Sequence, residues 1–285
     1  MREVTAIVLC WNDAERVAAL LRRLDELDPP PSRVIVVDNG SVDGAAQSLA
    51  AAFPGHRTIA LPRNLGFAGG VNRGIERALA EGADAIWLLN SDLELPHDAL
   101  AKLVGALDAD PRCGMAAAVL VEGDGRVQAH GGGRVNLWTG MSRHLLDARE
   151  SCDYLTGACL LLRARMLREI GCFDERYFFY WEDVELGFRA RAAGWTLAVA
   201  ADCRVPHLEG ASLGRWSDER WYHLFRGLRC FLAERSPLPR VALACRLLLH
   251  SAAMLRHGRH EALRGAWRAV TEAPALPRAS EDSRA

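Results

Sequence analysis

Apolar runs of strand length alternate with helically spaced apolar positions through the first part of the chain. Val4–Cys10 reads as a buried strand. Val17, Leu20, Leu21, Leu24 and Leu27 then recur on one helix face, with Asn12 or Asp13 as a cap and prolines 29–31 as a stop. Arg33–Val37 predicts a second strand, Gly44–Ala52 a helix, and Arg57–Leu61 a third strand. Gly70–Glu81 predicts a helix that turns Ile75 and Leu79 inward; Ala85–Leu89 is a fourth strand and Asp98–Ala109 another helix. Strands that are apolar on both faces and separated by helices imply a parallel sheet covered on both sides. Ligands of such sheets sit beyond the carboxyl ends of the strands. Three polar clusters fall at those ends: Trp11-Asn12, Asp38-Asn39 and Asn90-Ser91-Asp92.

The pattern changes after residue 113. Met115–Val121 is strand-like, a glycine-rich stretch runs through Gly131–Gly133, and Tyr154–Arg163 is strand-like again. Glu182–Ala193 reads as a helix ending at Gly194, followed by a strand over Thr196–Ala201. Residues 213–272 carry eleven arginines against five acidic residues, with Val241, Leu247, Leu248, Met254 and Leu255 at helical spacing. Residues 273–285 read as a disordered tail.

Composition narrows the class. The chain has 285 residues, 50% hydrophobic and 25% charged, which suits one large soluble α/β domain with an appendage. A formal net charge of −1 excludes an unselective nucleic-acid binder. Lys102 is the only lysine. None of the eight cysteines forms a C-x-x-C pair, which argues against a zinc knuckle or redox motif. The first strand starts with no signal peptide ahead of it, and no apolar stretch reaches the ~18 residues of a membrane span. A cytoplasmic location is the expectation.

The candidate chemistry is polar and scattered. No G-x-G-x-x-G and no P-loop occur, so phosphates would be held by other means. Asp92, after the strand AIWLL, could hold a divalent cation whose shell a diphosphate completes, or could cap a turn before Pro96. Asp38 and Asn39 could bond a base or ribose, or form a turn and helix cap. Trp11 could stack on a nucleobase or sit in the core. Arg63–Gly74 is rich in glycine and asparagine; Gly69-Gly70 could admit a phosphate to the backbone, or the segment could be a tight loop without ligand. Glu182 and Asp183 open a helix beside Phe178, Phe179, Tyr180 and Trp181. They could complement the helix dipole, or apolar surroundings could raise a carboxyl pKa as a general base requires. His207 could be a structural histidine or a ligand for a borderline metal such as Mn²⁺.

In order and spacing, VTAIVLCWN, VIVVDNGSVDG, RNLGFAGGVNRGI, WLLNSDLEL, LTGACLLLRARMLREIGCFDERYFFYWEDVELGFRARAAGW and the later His207 resemble the family 2 glycosyltransferases, in their bacterial rhamnosyltransferase-like branch, over roughly residues 4–230. The resemblance implies an α/β GT-A fold: a Rossmann-like nucleotide-diphospho-sugar transferase with a mostly parallel central sheet and a helical C-terminal extension. It implies a domain over 1–212 (nucleotide-binding half 1–112, acceptor and catalytic half 113–212), the basic extension over 213–272 and the tail. It implies an inverting enzyme using Mg²⁺ or Mn²⁺, a nucleotide-diphosphate sugar such as dTDP-rhamnose or another UDP-, GDP- or dTDP-sugar, and a glycan, glycolipid or small-molecule acceptor. By position it implies donor contacts at Trp11, Asn12, Asp38, Asn39, Asn64, Gly66, Gly70, Asn72 and Asn90, with Asn90 where the family has the first acid of its D-x-D. Asp92 and His207 stand as metal ligands, Asp183 as the base with Glu182 beside it, and Gly157 and Trp181 on the acceptor side. A loop near 207–216 would close over the donor to exclude water. The basic extension could meet an anionic membrane, pack on the domain, or form a dimer contact. The readings that compete with glycosyl transfer are a nucleotidyltransferase or dehydrogenase on a similar sheet, and a non-catalytic nucleotide-sugar binder.

Overall fold

The computed structural model describes residues 3–207 and 216–271. The loop expected near 207–216, apart from its two ends, and the tail expected over 273–285 lie outside the described residues. Strand and helix alternate as the sequence pattern requires: β1 (Val4–Cys10), α1 (Ala14–Asp25), β2 (Arg33–Asp38), α2 (Ala45–Ala52), β3 (Arg57–Ala60), α3 (Gly66–Ala80), β4 (Ala85–Leu89) and α4 (Ala99–Asp108). Then follow β5 (Cys113–Val121), β6 (Val127–His130), β7 (Gly132–Asn136), β8 (Met141–His144), β9 (Tyr154–Leu155), β10 (Cys159–Arg163), α5 (Ala164–Ile170), α6 (Glu182–Ala192) and β11 (Thr196–Pro206). Three helices close the described chain: α7 (Asp218–Arg235), α8 (Pro239–Arg256) and α9 (His260–Thr271).

The main sheet has eight strands in the order β11-β5-β10-β4-β1-β2-β3, with β6 on β5. β10 runs antiparallel to both β4 and β5, and β6 antiparallel to β5; the other pairings are parallel. The two halves expected over 1–112 and 113–212 therefore share one sheet. A second sheet is β8-β7-β9. Alternate residues of each central strand feed opposite cores. Val8, Val36 and Trp87 pack with Leu21 and Leu103 on one face. Ile7, Ile35 and Leu88 pack with Ile75, Leu160 and Leu186 on the other.

The chain divides into two compact units. One comprises Met1–Val135, Ser142–Phe178 and Glu182–Ala211; the other comprises Asn136–Met141, Phe179–Trp181 and Ser212–Ala285. The second unit thus takes in two short excursions from the middle of the chain as well as the C-terminal helices.

Three boundaries differ from the sequence pattern. Tyr154–Arg163 is two strands of different sheets, because the chain breaks at Thr156-Gly157-Ala158. β11 runs on to Pro206 through a register shift between Ala200 and Arg204. α3 begins at Gly66 rather than Gly70, so most of the expected glycine-rich loop is helix. The orphan amides at its start are satisfied from outside: Leu65 N–H donates to Asn39 Oδ1 at 2.9 Å and Gly66 N–H to Asn64 Oδ1 at 2.7 Å. Glycine is required there by close packing. A Cβ at Gly74 would lie 2.8 Å from Ile7 Cγ2, and one at Gly70 2.6 Å from Leu9 Cδ1. Gly66 itself has φ +77°, and its missing Cβ leaves space for the Phe178 backbone.

Gly66→Ala meets both the left-handed backbone and that carbonyl. It should lower unfolding free energy by about 2–4 kcal/mol, measured by urea denaturation; a loss below the error of the measurement would contradict this packing.

Candidate active site

The site is built at the carboxyl ends of β1, β2 and β4. Trp11 follows β1 and is 41% exposed, so its ring is open to a ligand. Asn12 has φ +52°; its backbone N–H donates to Ser41 Oγ at 2.8 Å and its Oδ1 accepts from Val42 N–H at 2.9 Å. It therefore fixes the loop after β2 against the end of β1. Asp38 is buried at the end of β2 and accepts from Ser41 N–H at 3.3 Å.

Several residues expected as donor contacts spend their polar groups on the fold instead. Asn39 is buried; its Nδ2 donates to Gly66 O at 2.9 Å and Asn64 Oδ1 at 3.0 Å. Asn39 and Asn64 together serve as the N-terminal caps of α3. Asn72 is buried too: Nδ2 donates to Phe173 O at 2.9 Å and Glu175 Oε1 at 3.0 Å, and Oδ1 accepts from Phe173 N–H at 3.1 Å. It staples α3 to the segment after α5. Gly70 lies inside α3 against Leu9 and Asn39, so the expected phosphate-admitting role of Gly69-Gly70 is corrected to helix–sheet packing.

Across the sheet, β4 ends at Asn90-Ser91-Asp92. Asn90 N–H donates to Ala158 O at 2.9 Å, and Ser91 Oγ donates to Asp13 Oδ2 at 2.7 Å. β11 brings His207 alongside: His207 N–H donates to Val121 O at 3.0 Å, and a bridge pairs His207 with Leu93. His207 Nε2 then lies 3.3 Å from Asp92 Oδ1, while its Nδ1 is 2.8 Å from Gln128 Oε1. A proton on Nδ1 facing Gln128 would leave Nε2, on the Asp92 side, as the nitrogen able to ligate a cation placed between it and the carboxylate. One carboxylate oxygen donor and one imidazole nitrogen fit a small divalent cation that takes its other ligands from phosphate and water. Among the described residues, no group of three or more His, Cys, Asp and Glu converges in this way.

Asp183, in the first turn of α6, faces the same end of the sheet. Its Oδ2 accepts from Gly157 N–H at 3.1 Å and its Oδ1 from Val184 N–H at 2.8 Å. Burial pushes its carboxyl above the usual aspartate range, opposed by those two amides and by His144. It is half-buried and keeps accessible surface. Glu182 differs: it is only 7% exposed, and its Oε2 has no hydrogen-bond partner. Burial, followed by the Asp183 charge, raises its carboxyl well above the ordinary value. Glu182 is too enclosed to touch an acceptor, which corrects its expected catalytic place. Trp181 is corrected as well. Its ring packs 5.2 Å from Phe231 and beside Gly227 in the second unit, buried and closed to an acceptor sugar.

Asn12, Tyr180 and Trp181 are the non-glycine residues with positive φ among the described residues. One follows β1, and the other two immediately precede Glu182-Asp183. Strained backbone of this kind collects at functional sites. Gln128 and His144 were not signalled by the sequence. Each is an isolated polar residue in a stretch without a motif, and each acts on a residue far away in the chain.

A mostly parallel α/β sheet in this strand order, with polar residues gathered at the carboxyl ends of its strands, is the GT-A fold. The profile of "Glycosyl transferase family 2" matches residues 5–171, and the chain belongs to that family. It is 29% identical over 263 residues to the N-acetylglucosaminyl-diphospho-decaprenol L-rhamnosyltransferase of Mycobacterium tuberculosis, covering 82% of this chain and 86% of that one. It is 31% identical over 213 residues to a galactofuranosyltransferase of the same organism, covering 72% and 69%. Among solved structures, the mannosyltransferase of Pyrobaculum calidifontis in complex with GDP-Man and Mn²⁺ matches with TM-score 0.64 at 18% identity, covering 96% of this chain and 88% of that one. This last likeness is one of fold.

The two kinds of polar residue at the site separate by measurement. Asn39→Ala should cost about 1–3 kcal/mol of stability, because it strands the Leu65 amide and the Gly66 carbonyl that it satisfies. Trp11→Ala should stay within about 0.5 kcal/mol of wild type. Urea denaturation of both checks the assignment; equal losses would contradict it.

Proposed function

We propose that this chain is an inverting glycosyltransferase that moves a sugar from a nucleotide-diphosphate donor to an acceptor hydroxyl, with Asp183 as general base. The observation that carries the reading is the half-buried Asp183 carboxylate, bonded to Gly157 N–H while the adjacent Ala158 carbonyl is bonded to Asn90, two residues from Asp92. A proton acceptor and a cation-fitted carboxylate thus belong to one stretch of the molecule.

Inversion needs a single in-line displacement. The acceptor oxygen forms a bond to the anomeric carbon, the bond from that carbon to the diphosphate oxygen breaks, and the acceptor proton passes to Asp183. The Gly157 and Val184 amides each occupy one lone pair on a different oxygen of Asp183 and fix its orientation. Desolvation raises its basicity for the task. Asp92 Oδ1 and His207 Nε2 would hold Mg²⁺ or Mn²⁺, and the nitrogen ligand favours Mn²⁺. Such an ion supplies Lewis-acid stabilisation to the departing diphosphate. Trp11 and Asp38 are the side chains suited to the nucleoside: an exposed indole for the base and a strand-end carboxylate for base or ribose. Asn12 holds their loops together.

The rhamnosyltransferase relative supports dTDP-rhamnose or a similar 6-deoxyhexose donor, and the diphospho-decaprenol in its name supports a lipid-linked diphosphate sugar as acceptor. The product would be a glycan built on the cytoplasmic side of a membrane.

Asp183→Asn should lower kcat by about 10²–10⁴-fold with the donor KM little changed. In wild type, kcat/KM should fall as pH drops through a value above the ordinary aspartate range, since only the ionised carboxylate accepts the proton. His144→Ala removes a neighbour that favours the ionised form, so this acid limb should move to higher pH while the plateau stays. An Asp183→Asn enzyme with full turnover would refute the base.

Gln128→Ala frees the Nδ1 side of His207 and should weaken Mn²⁺ binding by about 10–100-fold, read by titration calorimetry or Mn²⁺ paramagnetic resonance without donor. Unchanged affinity would refute the role of Gln128 in orienting His207 for the ion.

A further inference from the structure

α8 contains Ala242, Leu247, His250 and Met254 on its buried side. Its other side is apolar and open. Val241, Leu248, Leu249 and Leu255 are 56%, 64%, 53% and 59% exposed. Ala244 and Ala252 are exposed between them, and Leu238 is exposed just ahead of the helix. Positions 238, 241, 244, 248, 252 and 255 follow helical spacing, so the exposed apolar side chains form one stripe along the helix. Single exposed leucines are ordinary on a soluble protein; a continuous stripe marks an interaction surface.

The charges around the stripe select its occupant. Pro239–Arg256 contains no acidic residue. Arg240 and Arg256 bracket the stripe at its two ends, and neither makes an ion pair among the described residues. Arg259 follows one turn later. Trp267 of α9 is 43% exposed, and its indole N–H donates to Ser251 Oγ on α8 at 3.0 Å, so an amphipathic ring lies alongside. Exposed leucines between arginines, with a tryptophan at the margin, match the boundary between acyl chains and anionic headgroups. No helix among the described residues is long and apolar enough to cross a membrane, so the contact would lie in the plane of the surface. A second copy is the less favoured occupant. Two α8 helices pairing along this stripe bring arginine against arginine at the ends when antiparallel, and along matching positions when parallel, with no carboxylate on the helix to offset them.

We propose that the outward face of α8, with Trp267, is a docking surface for an anionic lipid bilayer, with Arg240 and Arg256 contacting headgroup phosphates. This inference rests on the second unit alone and goes beyond the catalytic reading. Its test uses neither donor nor acceptor, so the two stand or fall separately.

The test is co-sedimentation of the full chain with vesicles of phosphatidylcholine alone or mixed with phosphatidylglycerol. Wild type should bind the anionic vesicles, and added salt should weaken that binding. The Leu248→Glu/Leu255→Glu variant should lose on the order of tenfold or more in partition coefficient. Arg240→Glu/Arg256→Glu should show a similar loss and a flattened salt dependence. Thermal unfolding of each variant verifies folding. If the leucine pair fails to fold, the exposed arginine pair carries the test. The proposal is overturned if wild type ignores anionic vesicles or if folded variants bind as wild type does. It is equally overturned if wild type sediments as a dimer in solution that the leucine substitutions dissociate, with no vesicle binding.

Discussion

β10 runs against its neighbours β4 and β5, and the site depends on that reversal. In the register of the pair, Cys159 lies opposite Leu89, so the start of β10 meets the end of β4. The residues just ahead of β10 are thereby delivered to the edge where Asn90, Ser91 and Asp92 emerge. Ala158 O accepts from Asn90 N–H at 2.9 Å, and Gly157 N–H donates to Asp183 at 3.1 Å. Neighbouring peptide units thus tie the end of β4 to the first turn of α6. Had β10 been parallel, its start would lie at the opposite edge of the sheet and the two carboxylates would have no common support.

The same region explains what the sequence could and could not disclose. Continuous apolar runs such as Val4–Cys10 and Ala85–Leu89 are strands in full, because burial on both faces leaves no competing pattern. Strand direction is not written in such a run: Cys159–Arg163 is buried along its whole length like the parallel strands, yet runs antiparallel to both its neighbours. The break at Thr156-Gly157-Ala158 was hidden inside an apolar stretch, although Thr156 N–H leaves the strand to donate to Gly131 O at 2.9 Å. Asp92, Asp183 and His207 stood out because their chemistry is conspicuous at element ends. Gln128, 79 residues from His207, has no local signal at all; only the antiparallel β5–β6 pairing and the end of β11 bring it within reach.

The segment from Arg63 to Gly74 shows how one composition supports two physical readings. Glycine and asparagine in dense alternation suit a loop that admits a ligand, and they equally suit a helix pressed flat on a sheet. Propensity favours the loop, since each helical glycine costs about 1 kcal/mol against alanine. Packing decides otherwise. Helix α3 is pressed onto β1 and β2 so closely that a methyl at Gly74 meets Ile7, and one at Gly70 meets Leu9. The asparagines follow from the same closeness. A helix starting against another backbone needs caps supplied by side chains from outside, and Asn39 and Asn64 supply them. The α3 start also carries Phe67, whose N–H donates to Phe178 O at 2.7 Å. Residues that resemble ligand contacts in the sequence therefore act one step back, by holding the chain that leads to α6.

Asp183 and Glu182 complete the argument by contrast. Adjacent in sequence and both desolvated, they differ in access and in partners. Glu182 is enclosed, with an oxygen unsatisfied, so its ionised form is opposed by burial and by its neighbour's charge together. Asp183 keeps open surface and two backbone donors, which lower the cost of its charge without abolishing its raised basicity. Where two carboxyls interact this closely, the one better solvated by amides ionises first and makes the second harder to ionise. Burial and the neighbouring charge thus weigh more on Glu182 than on Asp183, which keeps open surface and two amide donors. The left-handed backbone at Tyr180 and Trp181 comes directly ahead of the pair in the chain, the kind of strain that collects at functional sites.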